Sequence, residues 1–306
     1  MNLGYCCINM SLRDTKPEVY SSRSINRKNF SIDKVSELSV LNCRDILTIL
    51  QWNESHNIKT FRIGSEPLPR VSDPTNPYCI GDLKDASEIR DFLAAIGTYA
   101  HTHNHNISFH PGQYVCLASP TPSVIDLAVL AVEKENEVAD AICRDVHIDI
   151  PINIHIGGSY GNEYESTADR FINTFHKLSP SLQKRLVVEN DDKRNGWSVP
   201  LLYDMIYKKI GIPITFDFHH YLFCNRSDIY TLQDEFLMAY STWNNRSAQV
   251  HYSESPTDKL VPKHSDYYKN PLPDWLSYYN CHIHLECKAK ELALLQYREQ
   301  FYNDSI

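Results

Sequence analysis

Eight short β-rich runs recur along the 306-residue chain, spaced widely enough to hold a helix between most neighbours, and this alternation limits the fold more than any other feature. The runs are "LGYCCIN" (3–9), "TFRIGS" (60–65), "ISFHP" (107–111), "INIHIGG" (152–158), "LVVEND" (186–191), "ITFDFHH" (214–220), "AQVHYS" (248–253) and "HIHLEC" (282–287). Segments 33–56, 84–104, 123–144, 166–179 and 198–210 place Leu, Ile, Val and Ala at i, i+3 and i+4, as helices with one apolar face do. Strand and helix in alternation build βαβ units and a parallel sheet. Eight strands spread over the whole length predict a closed (β/α)8 TIM barrel, a single domain over 1–306. An open doubly wound sheet would carry a glycine-rich phosphate turn after its first strand. Here "NMSLRDTKPEVYSS" follows, with no glycine. The stretches 65–77 and 254–275 read as ordered functional loops.

What stands at the strand ends is chemistry. The third run ends at His110, the fourth holds His155 and the fifth Glu189. The sixth gives Asp217 and His220, the seventh His251, the loop after it His264, and the eighth Glu286. In a barrel these ends share one face, where the βα loops build the active site. A lone strand-end histidine is usually a capped or packed residue. Six successive strands aiming imidazoles and carboxylates at one mouth are a different matter, because crowded carboxylates raise each other's pKa unless cations intervene. Mixed imidazole and carboxylate ligands suit Zn2+, Mn2+ or Fe2+. Eight candidates exceed what one ion takes, so a cluster of two or three is expected, of the kind that clamps both oxygens of a phosphoester displacement.

The motifs "HPGQY", "NIHIGG", "VVEND", "FDFHH", "KHSDY" and "HLECKAKE", in this order, resemble the UV damage endonucleases, as do "GYCCIN" and "FRIGSEPLP". The resemblance runs from Tyr5 to about Leu295. It implies a TIM barrel related to the endonuclease-IV-type AP endonucleases, with damaged double-stranded DNA as partner. It also implies manganese as the cofactor (Zn2+, Co2+ or Mg2+ as alternatives) and a nick immediately 5′ to cyclobutane dimers and 6-4 photoproducts. By the same resemblance His110, His155, Glu189, Asp217, His220, His251, His264 and Glu286 are metal ligands. Glu189 bridges two ions, and Glu189, His110 and His251 form the catalytic centre. Gln113 and Tyr114 match the pair pushed into the duplex opposite the lesion, where an amide and an aromatic can fill the space of extruded bases. Tyr5 and Asn9 match residues lining the pocket for the flipped dinucleotide. The chain departs from the family at Gln249, where a lysine two residues before the seventh-strand histidine is usual, and at Glu163, where a lysine is common. His282 and His284 share a strand face with Glu286; core histidines are the expectation there, with His284 as a partner of the cluster the alternative.

Charge at first argues against nucleic acid, since the formal net charge is −8. The loops expected at the mouth are more basic. Residues 10–32 hold Arg13, Lys16, Arg23, Arg27 and Lys28 against Asp14 and Glu18, and Lys193, Arg194, Lys259, Lys263 and Lys269 lie in later loops. Bound divalent ions would add to that positive mouth. No window of about 18 apolar residues suggests a membrane span. The first residues lack a signal peptide's basic and apolar regions, and nine cysteines without a CxxC pair read as reduced thiols. A cytoplasmic protein, or one of the nucleoid or nucleus, is expected. "HTHNHN" (101–106) precedes the third strand and is expected on the far face, solvated. Alternative readings are a metal-dependent sugar isomerase or epimerase, an AP-endonuclease-like nuclease, and a non-catalytic binder of damaged DNA.

Overall fold

The computed structural model describes residues 2–224 and 229–302. Eight parallel strands, β1 (Asn2–Cys6), β2 (Thr60–Arg62), β3 (Asn106–Ser108), β4 (Ile152–His155), β5 (Leu186–Glu189), β6 (Ile214–Asp217), β7 (Ala248–Tyr252) and β8 (Cys281–Leu285), pair in the order β3-β2-β1-β8-β7-β6-β5-β4. A bridge between Phe109 and Ile152 joins the two ends of that sheet. There the Phe109 amide donates to Pro151 at 2.9 Å, and the Asn153 amide donates to Phe109 at 2.9 Å. The sheet is therefore a barrel, as the alternation predicts.

The helices Ile32–Ser55, Ala86–Thr102, Pro122–Ile142, Tyr164–Phe175, a run over 199–210, Leu232–Ser241 and Glu291–Phe301 wrap it. Between β7 and β8 the described residues form a long loop and a 3-10 turn at Asp274–Tyr278, with no α-helix. That connection carries His264, which therefore reaches the mouth from a loop rather than from a strand.

Period-two alternation decides what faces inward. The outward residues Phe61, Ile107, Phe109, Ile154, Val188, Phe216, Val250, Ile283 and Leu285 are buried against the helices and form the apolar core. Most of the inward residues are polar. Thr60 Oγ1 lies 3.0 Å from His282 Nδ1, Ser108 Oγ 3.3 Å from His284 Nε2, and Gln249 Nε2 donates to Asn106 Oδ1 at 3.0 Å. Many TIM barrels fill this space with branched aliphatics; here a hydrogen-bonded stack supports the mouth. Gly4 keeps the stack narrow, because a Cβ there would sit 2.1 Å from the Thr60 carbonyl oxygen.

His282 and His284 belong to this stack as core histidines. Burial pushes the His282 imidazole down to about 4, and pushes His284 well below its usual range. The expectation for "HTHNHN" needs correcting. His105 is buried, its Nε2 2.7 Å from Glu54 Oε2, and the His103 ring stacks on Tyr99 at 4.2 Å. Alternating polar residues looked solvated in sequence, but Lys59 and Glu54 supply a charged pocket into which a tight turn folds His105.

Candidate metal centre

Glu189 ends β5 at the centre of the mouth with no exposed surface. Its Oε2 lies 3.1 Å from His110 Nε2 and 3.8 Å from His155 Nε2; its Oε1 lies 3.1 Å from both His220 Nδ1 and His251 Nδ1. Four imidazoles from four elements thus converge on one carboxylate, and the Asn153 side-chain amide also donates to it. Three groups of donors lie close enough to share an ion: His110, His155 and Glu189; Glu189, Asp217 and His220; and Asp217, His251 and Glu286. Glu189 and Asp217 each belong to two groups, so seven of the eight expected ligands form one chain of adjoining sites. His264 stands at its edge. Its Nδ1 is 3.7 Å from Glu286 Oε2 and 3.0 Å from the Glu286 carbonyl oxygen, outside the three groups.

His220 sits on the short helix Phe218–Cys224 that follows β6, one turn beyond the strand end where its run placed it. The turn is fixed by Asp217, whose Oδ1 accepts the His220 amide at 2.7 Å. Asn190 locks the same corner, donating to the Asp217 carbonyl at 2.9 Å and accepting the Asp217 amide at 2.8 Å.

Electrostatics agree with a cation-binding cage. Burial alone would push every carboxyl here up. The imidazoles of His251, His155, His110 and His220 instead hold Glu189 well below the usual carboxylate range. Asp217 and Glu189 raise His220 well above the ordinary imidazole range against the pull of burial. Asp217 is pushed up by burial, and its Oδ2 accepts no hydrogen bond among the described residues. A buried carboxylate oxygen aimed at neighbouring ligands and lacking a proton donor is what a metal site leaves behind. The nitrogen and oxygen donors present fit Mn2+ or Zn2+ rather than a soft thiophilic ion.

Sequence reasoning missed the residues that hold these ligands in place. Asp191 is the clearest. Its Oδ1 lies 2.9 Å from His155 Nδ1, and its Oδ2 accepts the Trp197 amide at 2.8 Å. Its own amide donates to the Trp197 carbonyl, and a Cβ on Gly196 would sit 2.3 Å from Asp191 Cβ. The loop 191–197 is thus a clasp that fixes one imidazole. Asp191→Asn should lower metal affinity ~10–100-fold, the usual cost of losing a carboxylate behind a ligating histidine. Competition against a chelator measures this; unchanged affinity would rule out the orienting role. The motif "VVEND" contained Asp191, but nothing in the spacing separated it from Asp192.

Gln113 and Tyr114 are exposed on the loop after β3, Tyr114 by 56%. The Tyr114 ring lies over Gly112, where a Cβ would meet it at 2.5 Å. Behind it, the Tyr114 hydroxyl is 3.5 Å from Glu66 Oε1, which also accepts the Ser72 hydroxyl. Glu135, on the helix Pro122–Ile142, is buried. Burial, with the nearby Glu66 charge, pushes its carboxyl up to about 8 from 4.5. The folded chain therefore keeps a proton that the unfolded chain releases near 4.5. Stability from that proton is present at low pH and lost as pH rises to about 8. Glu135→Gln should raise the melting temperature over wild type at pH 8.5 and leave it unchanged near pH 4; an equal effect at both pH values would contradict the shift.

Tyr5 and Asn9 do not stand at the open mouth. Both are buried: the Tyr5 hydroxyl donates to Asn53 at 2.7 Å and accepts from Asn9 at 2.8 Å, and its ring packs on Phe61. β1 turns odd-numbered residues outward, so Tyr5 faces the helix Ile32–Ser55 rather than the lumen. Asn9 caps the turn Met10–Arg13 through the Leu12 amide. Gln249 is buried one layer beneath His251, and Glu163 is exposed just before the helix Tyr164–Phe175.

The basic fringe is partly spent. Lys16 pairs with Glu18, Arg23 with Asp45 and Arg27 with Asp73. Lys28, Lys193, Arg194, Lys259 and Lys263 are exposed and pair with no carboxylate among the described residues. No helix among those residues is long and apolar enough to cross a membrane.

Fold and site together define a class: a TIM barrel whose C-terminal mouth holds a cage of imidazoles and carboxylates able to take divalent ions. The family model described as UV-endonuclease UvdE matches residues 1–304, and the chain belongs to that family. It is 32% identical over 305 residues to the UV DNA damage endonuclease of Clostridium perfringens, covering 97% of this chain and 69% of that one. It is 30% identical over 263 residues to the UV-damage endonuclease of Schizosaccharomyces pombe, covering 83% of this chain but 42% of that longer protein. The crystal structure of SacUVDE superposes with a TM-score of 0.86 at 28% identity, covering 99% of this chain and 98% of the other. Membership places the chain among the UV-damage endonucleases of DNA repair.

Proposed function

We propose that this endonuclease hydrolyses the phosphodiester immediately 5′ to UV photoproducts, cyclobutane pyrimidine dimers and 6-4 photoproducts, in double-stranded DNA. The observation that carries the reading is the convergence of His110, His155, His220 and His251 on Glu189, with Asp217 and Glu286 completing adjoining donor groups. Those seven residues, with His264 at the edge, would hold two or three divalent ions, with Mn2+ our choice. Such ions, when bound, lower the pKa of water and neutralise charge on a reacting phosphate.

The protein's own groups do the placing. Glu189, with imidazoles facing both of its oxygens, would be the carboxylate shared by neighbouring ions. His110 and His251 flank it and set the two sides of the reacting phosphate. Asp191, Asn153 and Asn190 keep these side chains from collapsing or rotating. Gln113 and Tyr114 enter the stack opposite the lesion; a distorted dinucleotide is cheap to unstack, which supplies selectivity. Tyr5 and Asn9 shape the turn beside the pocket for the flipped bases from behind. The unpaired lysines and Arg194 meet the phosphate backbone. By family analogy the products are a 3′-hydroxyl and a 5′-phosphate.

The test is incubation with Mn2+ and an end-labelled duplex carrying one thymine dimer, beside duplexes with an abasic site or no damage. A single band mapping 5′ to the dimer is expected. Cutting of the abasic duplex alone would move the protein to the AP-endonuclease class.

A further inference from the structure

One buried charge at the mouth has no place in this scheme. Arg62 ends β2 and is the cation among side chains that otherwise carry imidazoles and carboxylates; its own side chain is 14% exposed. Its Nη1 donates to Glu286 Oε1 and its Nε, fully buried, has no hydrogen-bond partner among the described residues. Two other arginines are held differently. Arg246 grips Asp149 with Nε and Nη2, both at 2.8 Å, and Arg27 grips Asp73 the same way at 3.2 and 3.1 Å. In those pairs both donors of the fork meet the carboxylate. Arg62 touches Glu286 by one nitrogen.

The acceptor it touches is also claimed by the cage. Glu286 Oε1 lies 3.5 Å from His251 Nδ1, its partner in the third donor group. That oxygen cannot fully serve both a divalent ion and Arg62. When Glu286 turns to an ion, the guanidinium has more donors in need of an acceptor, and a buried donor left without one is costly. A phosphate oxygen bound at the third donor group would lie near it, and the planar fork of arginine fits phosphate geometry.

We propose that Arg62 is a phosphate-binding residue of the active site. It contacts Glu286 through Nη1, and with Glu286 engaged by an ion its N–H donors would serve a non-bridging oxygen of the scissile phosphodiester. The inference rests on the hydrolase reading above but names a residue that reading does not use. Structurally, it makes β2 a participant in a ring of contacts otherwise supplied by β3 to β8.

The test compares wild type with Arg62→Met and Arg62→Lys. Mn2+ binding is titrated first, then inorganic phosphate is titrated by calorimetry into the Mn2+-loaded proteins. Arg62→Met is expected to bind as many Mn2+ ions as wild type and to bind phosphate at least ~10-fold more weakly, the scale of one lost charged hydrogen bond. Its single-turnover incision rate should fall ~10²–10³-fold, with Arg62→Lys between. Unchanged phosphate affinity and rate overturn the proposal. Loss of a Mn2+ equivalent in both variants also overturns it, because Arg62 would then only build the ion site. Should Arg62→Met fail to fold, Arg62→Lys keeps the charge and lacks the fork, and the same readouts decide. If phosphate binding depends on Arg62 while wild type cuts no damaged duplex, the lesion-nuclease reading fails and the phosphate contact stands.

Discussion

Glu189→Gln abolishes incision of UV-irradiated duplex, by at least ~10²–10³-fold, the scale on which a single electrostatic contact at a reacting centre is felt. The change is nearly isosteric, so the barrel folds and melts as wild type. Its effect is electrical and geometric. Glutamine offers one acceptor oxygen in place of two, and its NH2 group presents donors to the imidazoles that now lie 3.1 Å from each carboxylate oxygen. It therefore cannot be shared between the His110–His155 and Asp217–His220 groups. Losing that negative charge also weakens what holds His155 and His251 above their usual range, while Asp217 still acts on His220. End-labelled strand analysis with the melting temperature measured in parallel checks the pair of outcomes. Wild-type nicking by a folded Glu189→Gln protein would refute the role given to Glu189.

Tyr114→Ala separates recognition from chemistry. The ring is more than half exposed and lies against Gly112. Removing it should weaken binding to a dimer-containing duplex by ~1–3 kcal/mol, the worth of one base–aromatic stack, while binding to undamaged duplex changes little. Metal content should be unchanged. Gly112→Ala is the companion, because its Cβ would stand 2.5 Å from the ring and drive Tyr114 off its seat. Fluorescence anisotropy on damaged and undamaged duplexes, read beside elemental analysis, gives both quantities. An unaltered ratio of the two affinities in Tyr114→Ala would remove this residue from lesion recognition.

The sequence carried the barrel because period two and period 3.6 are written in apolar residues, and these had to face the helices. It carried the ligands because histidines and acids at strand ends have few reasons to recur six times. Other features depend on contacts between distant segments. Asp191 acquires its role from a loop that folds back so that Trp197 and Gly196 pin it. Arg62 reads as an ordinary strand-end arginine until Glu286, more than two hundred residues later, arrives beside it. Tyr5 carried the expected motif, yet the pleat turns it toward Asn53. "HTHNHN" looked solvated because its partners, Glu54 and Lys59, belong to a different βα unit. The polar lumen was visible in hindsight as the inward set Thr60, Ser108, Asn153 and Gln249, residues that sequence patterning alone treats as interruptions of a strand.

On the proposed reading, side chains from six strands and their loops would enclose several divalent ions around Glu189. Anomalous scattering from a crystal soaked in saturating Mn2+ measures this directly. Two or three peaks inside the cage, with the Glu189 carboxylate between two of them, are the expected result. Mn2+ peaks elsewhere on the molecule, with none at these ligands, would contradict it.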